Sequence, residues 1–133
     1  MVLADMSLGV IPARLAATSR HIQGFITGGT TANPTANQVL AYHCVCVPGV
    51  IRIVIAAAVS TAAATPTIMD VRKNGTSVWT DPARRPTLPT GQSGVFTSYP
   101  PDNGSLVPGD LVTLVVVQAG NVDVAMTVAI EEP

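Results

Sequence analysis

Residues 122–131 read Val-Asp-Val-Ala-Met-Thr-Val-Ala-Ile-Glu. Val122, Val124, Met126, Val128 and Ile130 alternate with Asp123, Ala125, Thr127, Ala129 and Glu131. A period of two puts one set on each face of an extended chain, the signature of a half-buried antiparallel strand. Upstream, Leu111 to Gln118 is apolar on both faces, and Ala119-Gly120-Asn121 predicts a closing hairpin between the two runs. A second hairpin is predicted at Asn74-Gly75, because both residue types tolerate the positive φ of a two-residue turn. Nineteen valines, fifteen threonines and eight isoleucines in 133 residues suit strands, since branching at Cβ stiffens χ1. The class is all-β.

Working outward, the same reading gives the remaining strands. Arg20 to Thr27 puts Ile22 and Ile26 on one face, and Gly28-Gly29 and Pro34 break the chain after it. Val39 to Val47 is apolar on both faces, as a central or interface strand would be. Val50 to Ala58 is expected to turn Ile51, Ile53, Ile55 and Ala57 inward and Arg52 outward. The alanine-rich stretch 56–64 allows a short helix that Pro66 stops. Thr67 to Lys73 places Met69 and Val71 opposite Asp70 and Arg72, and Thr76 to Thr80 returns with Trp79. The segment from Asp81 to Pro101 holds five prolines and predicts a short strand at 95–99. Residues 105–110 read as a turn. Seven or eight strands result, and the expected fold is an antiparallel, jelly-roll-like β-sandwich over residues 19–133. Its core is drawn from Ile51, Ile53, Ile55, Met69, Val71, Val122, Val124, Met126 and Val128. Residues 1–18 form an N-terminal arm. Its apolar residues show no clear period, so it reads either as an extended segment docking on a neighbour or as an edge strand of the same domain.

A chain of 13.7 kDa buries roughly two thirds of its unfolded surface, enough for one core without staples. Only 11% of residues are charged, against about 25% in ordinary soluble domains, which implies surface that is covered in an assembly. Seven Lys and Arg against eight Asp and Glu leave no basic stripe for phosphates, so no nucleic-acid partner is expected. The longest apolar run is interrupted by Arg52 and is about half the length of a membrane helix. Asp5 precedes Arg14, the reverse of a signal peptide. Cys44 and Cys46 read as two small buried thiols, too close along a strand for an easy bridge. His21 and His43 stand apart from them at no zinc-site spacing, the acids are dispersed, and no nucleophile elbow or phosphate loop occurs. No catalytic, cofactor or metal site is expected.

Three segments carry a resemblance: Val71-Arg72-Lys73-Asn74-Gly75 followed by a strand with Trp79; Arg85-Pro86-Thr87-Leu88, then Gly91; and Leu106, then Pro108-Gly109-Asp110, followed by a valine-rich strand. Over roughly residues 65–131 this order resembles small β-sandwich virion proteins of tailed bacteriophages, namely capsid decoration (cement) proteins and tail-fibre or baseplate modules. The Lys-Asn-Gly and Gly-Asp pattern is also similar to trimeric jelly rolls of the tumour-necrosis-factor-like and complement globular-head families. The resemblance implies a structural virion protein that binds and stabilises the major capsid protein shell; the alternative it implies is a tail-fibre, baseplate or collar module that binds a host surface or another tail protein. A short self-contained chain rather than a piece of a long fibre is expected, made in the host cytoplasm and located on the capsid surface. Self-association as a homo-trimer or homo-dimer through strand faces follows from the apolar two-faced strands at 39–47 and 111–118 together with the low charge. The partner-binding candidates are Val2, Leu3, Met6, Leu8, Val10 and Ile11 of the arm, together with Arg84 and Arg85. The arginines offer forked donors to a partner's carboxylates, or else belong to a solvated loop.

Overall fold

The computed structural model describes residues 22–30, 34–58, 65–90, 93–120 and 123–132. They form ten strands: β1 (Ile22–Gly29), β2 (Gln38–Cys44), β3 (Gly49–Ala58), β4 (Thr67–Lys73), β5 (Thr76–Ser77), β6 (Thr87–Leu88), β7 (Gly94–Thr97), β8 (Ser105–Leu106), β9 (Leu111–Gln118) and β10 (Val124–Glu131), with one 3-10 turn at Pro82–Arg84. Two antiparallel sheets pack face to face. One runs β1-β10-β3-β7 with β8 also on β3, and the other runs β2-β9-β4-β5 with β6 also on β4.

The pairings nest. β1 pairs with β10, β2 with β9, β3 with β7 and β8, and β4 with β5 and β6. This is one long hairpin whose tip is the Asn74-Gly75 turn. Rolling it up brings β10 beside β3 and β9 beside β4, which is the jelly-roll arrangement. Both tip residues have positive φ, 52° at Asn74 and 86° at Gly75, as the mirror-image turn requires. Because β9 and β10 belong to different sheets, the chain around Ala119-Gly120 crosses the sandwich. The hairpin expected there is not formed.

The core lies between the sheets. Met69, Val71 and Leu114 of one sheet meet Val54, Met126 and Val128 of the other, all buried, and Leu88 and Trp79 are buried in the same cluster. Burying each large side chain is worth roughly 1.5–3 kcal/mol. Val124 joins them as expected, while Val122 lies outside the described residues.

Several local expectations are corrected. Ile51 is buried, but Ile53 is 43% exposed and Ile55 is only half-buried. Ile51 and Ile53 pair with the adjacent residues Ile130 and Ala129, so Arg52 is a bulge residue. The extra residue reverses the alternation, and Val54, Ala56 and Ala58 point inward instead. The strand also claims 56–58, where a helix was open; 59–64 lie outside the described residues. Gly28-Gly29 does not break β1. A Cβ on Gly28 would sit 2.7 Å from the Leu40 carbonyl oxygen, so glycine lets β1 and β2 approach across the rim of the sandwich. Among the described residues Val39 to Val47 is not a central strand: β2 pairs there only with β9, and its apolar side chains are largely exposed. Cys44 and Cys46 are likewise exposed free thiols.

Candidate interaction surfaces

The register of the β1-β10-β3-β7 sheet defines its outer face. Phe25, Ala129 and Ile53 form one row; Thr27, Thr127, Ile55 and Thr97 the next; Gly29, Ala125, Ala57 and Val95 the third. None of these eleven positions is charged. Phe25 is 66% and Val95 69% exposed. Charges flank the rows at both ends: Arg52 and Glu131 at one, paired with each other at 3.1 Å, and Asp123, two residues before Ala125, at the other.

The opposite sheet is built differently. Asp70 of β4 faces outward yet is completely buried. Its Oδ2 accepts from Arg72 Nε at 3.1 Å and its Oδ1 from the Ser77 hydroxyl at 2.7 Å. Arg85 Nε, itself buried, faces the same Oδ2 at 3.6 Å, an ion-pair but not a hydrogen-bond distance. Arg84 lies 3.6 Å from Asp102 and over the Tyr99 ring, 4.9 Å from its centroid. Hydrogen bonds from the Thr80 backbone N–H and hydroxyl, with Arg84 nearby, hold the Asp102 carboxyl below its ordinary value of 3.8. The structure thus places both candidate arginines against carboxylates of their own chain. Their segment is fastened to its own domain at further points: Trp79 Nε1 donates to the Tyr99 carbonyl at 2.9 Å, Met69 N–H to Pro86 at 2.8 Å and Ser98 N–H to Val54 at 3.1 Å.

The Lys-Asn-Gly and Pro-Gly-Asp motifs come together. Asn74 Nδ2 donates to Asp110 Oδ1 and Asn74 Oδ1 accepts from Leu111 N–H, each at 2.9 Å. Asp110 Oδ2 accepts from Val107 N–H, and Lys73 Nζ donates to the Ser105 carbonyl at 2.9 Å. The Val107 and Asn74 donors hold the Asp110 carboxyl below 3.8. The two motifs therefore clasp one end of the sandwich rather than form an open site.

A third surface was not visible in the sequence. Beside the start of β1 lies an apolar groove of about 180 Å³. Val45, Leu106 and Ile130 are buried in its floor, while Phe25, Val47 and Cys46 stand exposed at its rim. His43 also lines it; His21 lies outside the described residues. So do the arm candidates Val2, Leu3, Met6, Leu8, Val10 and Ile11. Val45 and Ile130 belong to different sheets or their extensions, which is why linear reading did not bring them together.

Among the described residues, no three His, Cys, Asp or Glu side chains gather as a metal site, and no helix is long and apolar enough to cross a membrane. No protein-family model, curated protein or solved structure matches the chain.

Proposed function

We propose that the protein is a structural module that attaches to a protein shell through the outer face of the β1-β10-β3-β7 sheet, as a capsid decoration protein of a tailed bacteriophage does. The observation that carries this reading is the uncharged face of three residue rows. Charge depletion with exposed aromatic and aliphatic side chains is what the centre of a protein interface has. A face of apolar and threonine side chains has little to offer phosphate or a charged metabolite, but it suits another protein surface. The jelly roll serves in capsid proteins among other settings, a fold-level analogy that agrees with the resemblance on residues 65–131. Binding to folded shell subunits, as a homo-trimer or homo-dimer, stabilises them by mass action and needs no chemistry. The major capsid protein is the partner in this reading.

Ile53→Lys tests it. The substitution puts a charge on the first row of the face at a position outside the buried core. The variant is expected to keep the wild-type denaturation midpoint and to be lost from purified particles. Retention at full occupancy would remove the face from consideration. Copy number measured by quantitative mass spectrometry is expected to follow the shell protein. Copies in step with the tail proteins would move the module to the tail.

A further inference from the structure

A polar crevice of about 590 Å³ opens against the outward side chains of β4 and β5. That size lies within the range of ligand pockets, ~300–1,000 Å³. Its charged lining residues are Arg72, Arg85 and Asp70, two positive charges against one negative. Asp70 is completely buried. It meets both guanidinium groups at their Nε atoms, 3.1 Å from Arg72 and 3.6 Å from Arg85. These contacts do not use up either arginine. Among the described residues the terminal nitrogens of Arg72 and Arg85 make no hydrogen bond, and Arg85 Nε is buried without one. Both side chains keep access to solvent, 31% for Arg72 and 23% for Arg85. Thr76 and Asn103, both exposed, line the crevice as well. Their side chains also make no hydrogen bond among the described residues.

We propose that this crevice binds an aspartate or glutamate side chain on an acidic segment of a partner protein, with Arg72 and Arg85 as its forked donors. Guanidinium groups pair with carboxylate and phosphate alike. Net charge decides between them. One net positive charge matches a carboxylate, whereas a phosphate dianion would leave excess negative charge beside the buried Asp70. Trp79, the one aromatic lining residue among those described, is 2% exposed, so the crevice offers no ring face to a sugar. The volume beyond the carboxylate admits the peptide backbone that carries it, and Thr76 and Asn103 supply hydrogen-bonding groups there. Asp70 already orders both arginines, which reduces the entropy lost on binding. The inference does not depend on the shell reading, because β4 and β5 belong to the sheet opposite the uncharged face.

The arginine Nε–H signals in NMR spectra of the isotope-labelled full chain report the binding directly. The probe is a short glutamate peptide with blocked ends, and its glutamine counterpart is the control. At low salt the glutamate peptide is expected to shift the Arg72 and Arg85 signals saturably in the millimolar range. The glutamine peptide should leave them in place, and added salt should weaken the binding severalfold. Arg85→Gln is expected to weaken it about tenfold or more, through loss of a charge-assisted pair. Because Arg85 also covers Asp70, a second variant is made at an exposed position: Asn103→Ala leaves the core intact and should weaken binding about two- to fivefold. Absence of saturable shifts, equal shifts with the glutamine peptide, or wild-type affinity in both variants would overturn the proposal. Tighter binding of inorganic phosphate or of glucuronate than of the glutamate peptide would also overturn it, assigning the crevice to a phosphate or to an acidic glycan.

Discussion

At the scale of single residues, Asp70 is the position where a surface pattern hides a buried charge. Its alternation with Met69 and Val71 was legible and places it outward, as found. Its complete burial was not legible, because the lid is Arg85, fifteen residues away on a segment whose path no local pattern gives. Breaking a buried ion pair by removing one partner costs about 3–5 kcal/mol. Arg72 and Arg85 retain some access to water, so Asp70→Ala is expected at the lower end, read from the urea midpoint. Gly75 carries a different cost. A Cβ there would meet nothing within 4 Å, but φ is +86°. Gly75→Ala should therefore cost about 1–2 kcal/mol through backbone strain alone. Asp102 and Asp110 set the acid limb. Their folded-state pKa values are lowered from 3.8, so the stability they add is present above 3.8 and is lost as pH falls through the folded values. Melting temperature should hold from neutral pH to about pH 5 and drop below about pH 4. Asp110→Asn should reduce that drop.

At the scale of elements, the bulge at Arg52 decides which isoleucines matter. Ile51→Ala removes a buried side chain and should cost about 2–5 kcal/mol. Ile53→Thr, two residues on, should stay within about 0.5 kcal/mol of wild type. Equal costs at the two positions in chemical denaturation would contradict the bulge. Period-two reading finds β3 correctly, since Gly49–Ala58 lies within a residue of the expected run. It cannot find a one-residue insertion, because a bulge is a mismatch in register between β3 and β10 that neither strand's own alternation displays. The same limit explains β9 and β10. Each was legible, but a Gly-Asn connection is equally compatible with a hairpin and with a crossover, and only the other sheet decides. The strongest candidate surface was hidden for a related reason: Ile53 and Ile55 were assigned to the core, so the outer face lost its central residues.

At the scale of the whole molecule, opposed faces of unequal chemistry predict orientation. Attachment to the shell should be insensitive to salt, because the exposed rows of the first sheet carry no charge to screen. Particles washed at low and at high ionic strength should keep the same number of copies, and release by salt would point to the charged sheet instead. The nested pairing has a consequence for synthesis. β1 has been made by residue 29, but its only sheet partner among the described residues begins at residue 124. At ~5–20 residues per second the nascent strand waits ~5–20 s for that partner. β3 waits as well, flanked on one side by the same late strand. Ribosome-attached intermediates thus carry β1 and the valine- and isoleucine-rich β3 without their late partner, so the newborn chain is a natural client for holding chaperones until β10 clears the exit tunnel.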